Sequence, residues 1–154
     1  MKRILIALDY APAAQTVAET GFAVFENLHT EFTLLHVITD PTYYSSTVYD
    51  PIMGFGGYTN LNLMEPDVLE TLKKTSYDFL EKSKNHLGGS NINTMVREGD
   101  ASTAIIETAK EIKADVIVMG SHSRSWLEHI LLGATAESVL HHAGIPMFII
   151  PVKK

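Results

Sequence analysis

Five short apolar runs separated by four helical segments predict a single α/β domain: a doubly wound, five-stranded parallel sheet with helices on both faces. Three observations carry this reading. The runs are nearly continuous in Ile, Leu, Val, Phe and Met, as in strands buried on both faces, and do not alternate apolar with polar. The intervening segments repeat their apolar residues at helical spacing. A chain of 154 residues with 45% hydrophobic content is long enough for one well-buried core and too short for two ordinary domains, so residues 1–154 are taken as one domain.

The first strand covers residues 4–8 and ends at Asp9; Pro12 follows, where the first turn of a helix tolerates a missing N–H. Val17, Gly21, Val24, Phe25 and Leu28 then recur at helical spacing, and Phe32, Leu34, Leu35, Val37 and Ile38 form the second strand. Residues 39–65 follow neither period. They hold Pro41, Tyr43, Tyr44, Tyr49, Pro51, Tyr58 and the cluster Gly54-Phe55-Gly56-Gly57. A connection of that length reads either as a mobile insertion or as a lid whose tyrosines shelter a ligand or a partner. A helix over residues 66–87 carries Val68, Leu69, Leu72, Phe79 and Leu80 on one stripe and stops at Gly88-Gly89. Residues 92–96 form the third strand. Asp100, after Gly99, caps a helix that turns Ala104, Ile105, Ala109 and Ile112 inward. The fourth strand covers residues 115–119, Val139 and Leu140 anchor the last helix, and residues 147–150 make the fifth strand.

Composition excludes several classes of function. The net charge of −6 and the lack of a basic run other than Lys153-Lys154 argue against a nucleic-acid footprint. Zero cysteines rule out a disulfide framework, a zinc-thiolate site and a cysteine nucleophile, and suit a reducing compartment. The apolar run from Ile4 stops at Asp9, short of the roughly 7–15 apolar residues of a signal sequence. No stretch reaches the ~18 apolar residues of a membrane span. The expectation is a soluble cytoplasmic protein without membrane or nucleic-acid partners. His141 and His142 are adjacent and point to different faces of a helix, which disfavours a paired metal site.

The most informative stretch is Gly120-Ser121-His122-Ser123-Arg124-Ser125-Trp126, with Gly133-Ala134-Thr135-Ala136 further on. Glycine at the end of a strand and a second glycine just ahead of a helix place backbone N–H groups around one pocket, where an anion approaches without meeting a Cβ. The residues read Gly120-x2-Ser123-x9-Gly133-Ala134. This spacing resembles the universal stress protein family, whose phosphate-contacting signature is Gly-x2-Gly-x9-Gly-(Ser/Thr). The likeness runs on through Ile4-Leu5-Ile6-Ala7-Leu8-Asp9, Val96-Arg97-Glu98-Gly99 and Ile145-Pro146-Met147-Phe148-Ile149-Ile150.

The resemblance implies the strand order 3-2-1-4-5 and a ligand crevice between the first and fourth strands, beyond their carboxyl ends. It further implies an adenine nucleotide, ATP foremost, with Mg entering only alongside it. Ala7 and Asp9 would lie at the adenine or ribose edge, Val37 and Ile38 beside the base, and Met119 beneath it. Gly120, Ser123 and Gly133 would surround the phosphates, and His122 reads either as an extra donor there or as a surface residue. Two residue types depart from the signature. Ser123 adds a Cβ where a glycine stands, which either crowds the loop or supplies a hydroxyl donor to the same phosphate. Ala134 lacks the hydroxyl that would cap an N–H or meet a phosphate, a loss of about 1 kcal/mol. Thr135 lies about 100° further around the helix and replaces it poorly. The N–H groups of Ala134, Thr135 and Ala136 remain as donors at the positive end of a helix. Arg124 reads either as a guanidinium fork on a phosphate or as a solvated surface arginine. Asp9 reads either as a nucleotide contact or as a turn residue ahead of Pro12.

Three functions follow from these residues. The first is a nucleotide-holding regulatory switch of the stress response, acting on a protein partner. The second is a nucleotide-independent dimeric scaffold, toward which Ser123 and Ala134 move the chain. Third comes an enzyme of the wider adenine-nucleotide α-hydrolase type, but Asp9-Tyr10-Ala11-Pro12 lacks the glycine-rich loop such enzymes carry after the first strand. No nucleophile-and-base set stands in a recognisable motif, so a dedicated enzyme is not expected. Residues 146–151 are apolar along their length and lie at a sheet edge in the implied order, which invites a homodimer through that strand.

Overall fold

A computed structural model describes residues 1–9, 12–39, 68–122 and 132–152; the side chains of Val68 and His122 are not among what it describes. Chain order gives β1 (Lys2–Ala7), α1 (Ala14–Phe25), β2 (Thr30–Ile38), α2 (Val68–Leu87), β3 (Ile92–Glu98), α3 (Ala101–Glu111), β4 (Val116–His122), α4 (Ala134–His142) and β5 (Met147–Val152). The strands form one parallel sheet in the order β3-β2-β1-β4-β5, as the resemblance implied. The 39–65 connection lies outside the described residues except for Thr39.

Two layers cover the sheet because alternate strand residues point to opposite faces. Ile4 and Ile6 of β1 join Leu34 of β2 and Val118 of β4 against Val17 and Ala18 of α1 and Leu72, Phe79 and Leu80 of α2. Leu5, Leu35, Ile117 and Met119 point the other way, onto Ile105 and Ala109 of α3 and Ala136 and Val139 of α4. The register Leu34–Ile6–Val118 across three strands keeps each face in a single plane. Most of the strand residues expected in the core are almost fully buried.

Several boundaries and facings differ from the sequence reading. α1 starts at Ala14, with Ala13 at its N-cap, so Pro12 sits ahead of the helix and outside its first turn. The buried arc of α1 centres on Gly21, between Ala14, Val17 and Ala18. At about 100° per residue, Val24 falls at the margin of that arc and is exposed, while Leu28 lies past the helix end and is exposed too. Leu140 is likewise exposed, because it is turned about 100° from Val139 and out of the arc of Ala136, Val139 and Ala143. β4 runs on to His122, so Gly120 lies inside a strand and does not end one.

Between β3 and α3, Gly99 holds φ +116°, a value that side chains with a Cβ rarely adopt, and its N–H donates to Ile38 O at 2.9 Å. Asp100 then caps α3 by accepting from Thr103 N at 3.0 Å, as the sequence indicated. These bonds bring the end of β2 and the start of α3 together at one end of the sheet.

Candidate functional site

The carboxyl ends of β1 and β4 lie side by side, and the chain leaves them in opposite directions, from β1 to α1 on one face and from β4 toward α4 on the other. A cavity of about 360 Å³ opens there, within the usual range of small-ligand sites. One wall is apolar: Leu35 and Val37 of β2, Ile105 of α3 and Met119 of β4 line it, with Ala7 at the end of β1. The opposite wall is made by Leu8, Ala14, Val17 and His36.

Gly120 lines the cavity, and packing supplies a reason for glycine that the sequence did not indicate. A Cβ built there would lie 2.7 Å from Val17 Cγ2 and 3.0 Å from Val152 Cγ2. The residue is small so that α1 and β5 can pack closely over β4, and its φ is not positive. Gly133 is the N-cap of α4 with φ −63° and ψ 157°, an extended conformation open to any residue, and among the described residues no side chain caps the helix. The first intrahelical bond runs from Glu137 N to Gly133 O at 2.9 Å. The N–H groups of Ala134, Thr135 and Ala136 therefore precede the hydrogen-bonded ladder, and all three residues line the cavity. Ala134 occupies the first helical position and not the cap. A hydroxyl at that position would not make the N-cap bond.

At the β1 end of the cavity stands Asp9, exposed. His36 went unnoticed in the sequence, yet it is 3% exposed and lines the cavity. Its Nδ1 lies 2.9 Å from Leu8 O. A carbonyl only accepts, so Nδ1 carries the proton and donates. The ring packs edge-on against Phe79 of α2, centroids 6.1 Å apart. Burial disfavours the charged imidazolium and draws the pKa down to about 4, against smaller upward pulls from the Leu8 carbonyl and the Asp9 charge. The signal that would have revealed it is one imidazole inside an otherwise apolar strand, Leu34-Leu35-His36-Val37-Ile38.

Of the residues the sequence singled out, the cavity gathers Ala7, Asp9, Val37, Met119, Gly120, Gly133, Ala134, Thr135 and Ala136. Ile38 is not among its lining residues; it is buried on the other face, against the α1 and α2 layer. The backbone of His122 pairs with Val152 in β4, while Ser123 and Arg124 lie outside the described residues. Leu8, Leu35, Thr39, Ala101 and Ile105 line the cavity unanticipated. Among the described residues no three His, Cys, Asp or Glu side chains gather to hold a metal, and no helix is long and apolar enough to cross a membrane.

A family model described as the universal stress protein family matches residues 1–151. The chain is 28% identical over 155 residues to universal stress protein MJ0531 of Methanocaldococcus jannaschii, covering 99% of this chain and 84% of the relative. The solved structure of MJ0577, from the same organism, matches with a TM-score of 0.74 at 25% identity over 99% of this chain and 97% of that one. A universal stress protein solved in complex with cAMP shares the fold at a TM-score of 0.63 and 14% identity, over 97% and 96% of the two chains.

The buried imidazole gives a prediction for stability. Its pKa is lowered from 6.5 to about 4 on folding, so the unfolded chain binds the extra proton between those values, and stability falls as pH drops from about 6.5 toward 4. The expected loss over that window is about 3 kcal/mol. Urea unfolding of wild type and His36→Phe at intervals between pH 7 and 4 measures it. A smaller slope in the variant is expected, and equal slopes contradict the assignment.

Proposed function

The chain belongs to the universal stress protein family, and we propose that it holds an adenine nucleotide, ATP foremost, between β1 and β4 as a regulatory switch of the stress response. The observation that carries this reading is the joining of three surfaces in one cavity: the apolar wall of Val37 and Met119, the carboxylate of Asp9, and the amide end of α4 at Ala134, Thr135 and Ala136. A flat base suits the first. Ribose hydroxyls donate to the second, and phosphate accepts from the third, where the helix dipole adds roughly half a positive charge. Mg would arrive with the phosphates and be held chiefly by them. That the same fold takes an adenine nucleotide elsewhere, in the relative solved with cAMP, is consistent with this.

We read the site as one for binding and not for turnover. Asp9 and His36 are the titratable side chains lining the cavity among the described residues, and the Nδ1 proton of His36 is donated to Leu8. Occupancy would change the surface presented to a protein partner. A cytoplasmic setting fits a chain without cysteines that draws on the cell's adenine nucleotides.

One observation favours a second reading, the nucleotide-independent dimeric scaffold. β5 is an edge strand whose Met147, Phe148 and Ile149 are only partly buried. Its outer edge and these side chains offer a self-complementary surface for a two-fold homodimer through residues 146–151. Light scattering at micromolar concentration tests it: a mass of two chains is expected, and a strict monomer removes the dimer from both readings.

Calorimetric titration with ATP, ADP, AMP and cAMP tests the nucleotide reading. Measurable heat with ATP is expected, and none at millimolar ATP would overturn it in favour of the scaffold. Restoring a hydroxyl by Ala134→Ser should add one donor to phosphate, about 1 kcal/mol, or roughly fivefold in affinity. Unchanged affinity in the folded variant contradicts the role given to that position.

A further inference from the structure

The β1–β2 ladder ends at the cavity wall. Its register ends at Ala7 opposite Leu35, and the last bond it supplies among the described residues is Leu8 N to Leu35 O at 2.8 Å. Beyond that point the backbone leading to Asp9 has left the ladder. A side chain takes over there: His36 Nδ1 donates to the Leu8 carbonyl at 2.9 Å. The ring that makes this bond is held in turn, 3% exposed on β2 and packed edge-on against Phe79 of α2.

We propose that His36 is a positioning residue, which by holding the Leu8 carbonyl fixes the lip of β1 and so aims the Asp9 carboxylate into the cavity. The role in affinity rests on the nucleotide reading above; the role in ordering the lip does not. Two further facts support it. Leu8, Asp9 and His36 all line the same cavity. Burial keeps the ring neutral at pH 7, which leaves a single ring proton, and the Leu8 carbonyl requires it on Nδ1. Phe79 extends the chain of contacts to α2, the helix that follows the 40–67 segment. A shift of α2 would thus reach Asp9 through two contacts.

Conservative variants separate this bond from mere filling of space. The amide nitrogen of asparagine can stand where Nδ1 stands, whereas that of glutamine reaches toward the place of Nε2. His36→Asn should therefore keep the donor to Leu8, and His36→Gln and His36→Leu should lose it. Amide hydrogen exchange at Leu8 and Asp9, followed by NMR without nucleotide, is expected to speed up in the Gln and Leu variants and to return toward wild type in Asn. ATP affinity by calorimetry should weaken about fivefold in Gln and Leu and recover in Asn. Unchanged exchange in a folded Gln or Leu variant overturns the positioning role. Altered exchange with unchanged ATP affinity overturns its link to the ligand, and no ATP binding by wild type sinks the nucleotide reading while leaving the lip test intact. Should the variants fail to fold, 15N NMR of wild-type His36 decides: an Nδ1–H tautomer coupled across the hydrogen bond to Leu8 supports the proposal, and an Nε2–H tautomer overturns it.

Discussion

The site depends on one topological constraint. β1 and β4 are neighbours in the sheet, but the segments that leave them pack on opposite faces, α1 with α2 on one and α4 with α3 on the other. With the following helices on opposite faces, a crevice lies between the two strand ends among the described residues. The residues around it decide what the crevice accepts. Close packing sets its depth: Gly120 has no Cβ because Val17 and Val152 already occupy the space one would need, and this draws α1 and β5 down over the end of β4.

Charge within the crevice is arranged end to end. A chain with a net charge of −6 has no general attraction for phosphate, and Asp9 adds a negative charge at the β1 end. At the other end, α4 opens on Gly133, which supplies no side-chain cap, whereas the third helix, α3, is capped by Asp100. Anions stabilised by such a terminus gain only about 0.3–1 kcal/mol at exposed sites and up to ~2 when partly buried. That range cannot hold a phosphate alone, so affinity must draw on the apolar wall as well, and a ligand with a flat apolar end, hydroxyls and a phosphate satisfies all three surfaces at once. On the proposed reading, the hydroxyl absent at Ala134 is one donor among several.

Much of the fold was legible in the sequence. The central strands read as apolar runs because both faces are covered: Leu34, Leu35, Ile117 and Val118 are all essentially buried. Their order came from the resemblance and from no feature of the runs themselves. Facing at helix margins was less legible, since Val24 and Leu140 are apolar yet sit just outside their helices' buried arcs. The site was legible in part. Asp9 and Gly133 could be placed from position along the chain, but the role of Gly120 depends on Val17 and Val152, more than 30 residues away in each direction. His36 was hidden for a similar reason: its meaning lies in a carbonyl 28 residues upstream and in Phe79 of α2, and no local spacing encodes either contact.

The central claim is that the amides opening α4 and the lip of β1 face one ligand together. The most direct measurement is an NMR titration of the 15N-labelled protein with ATP, following every backbone amide. The account predicts concerted shifts of Ala134, Thr135 and Ala136 with those of Leu8, Asp9 and Val37, saturating at one nucleotide per chain. Shifts confined to other surfaces, or none at millimolar ATP, would contradict it.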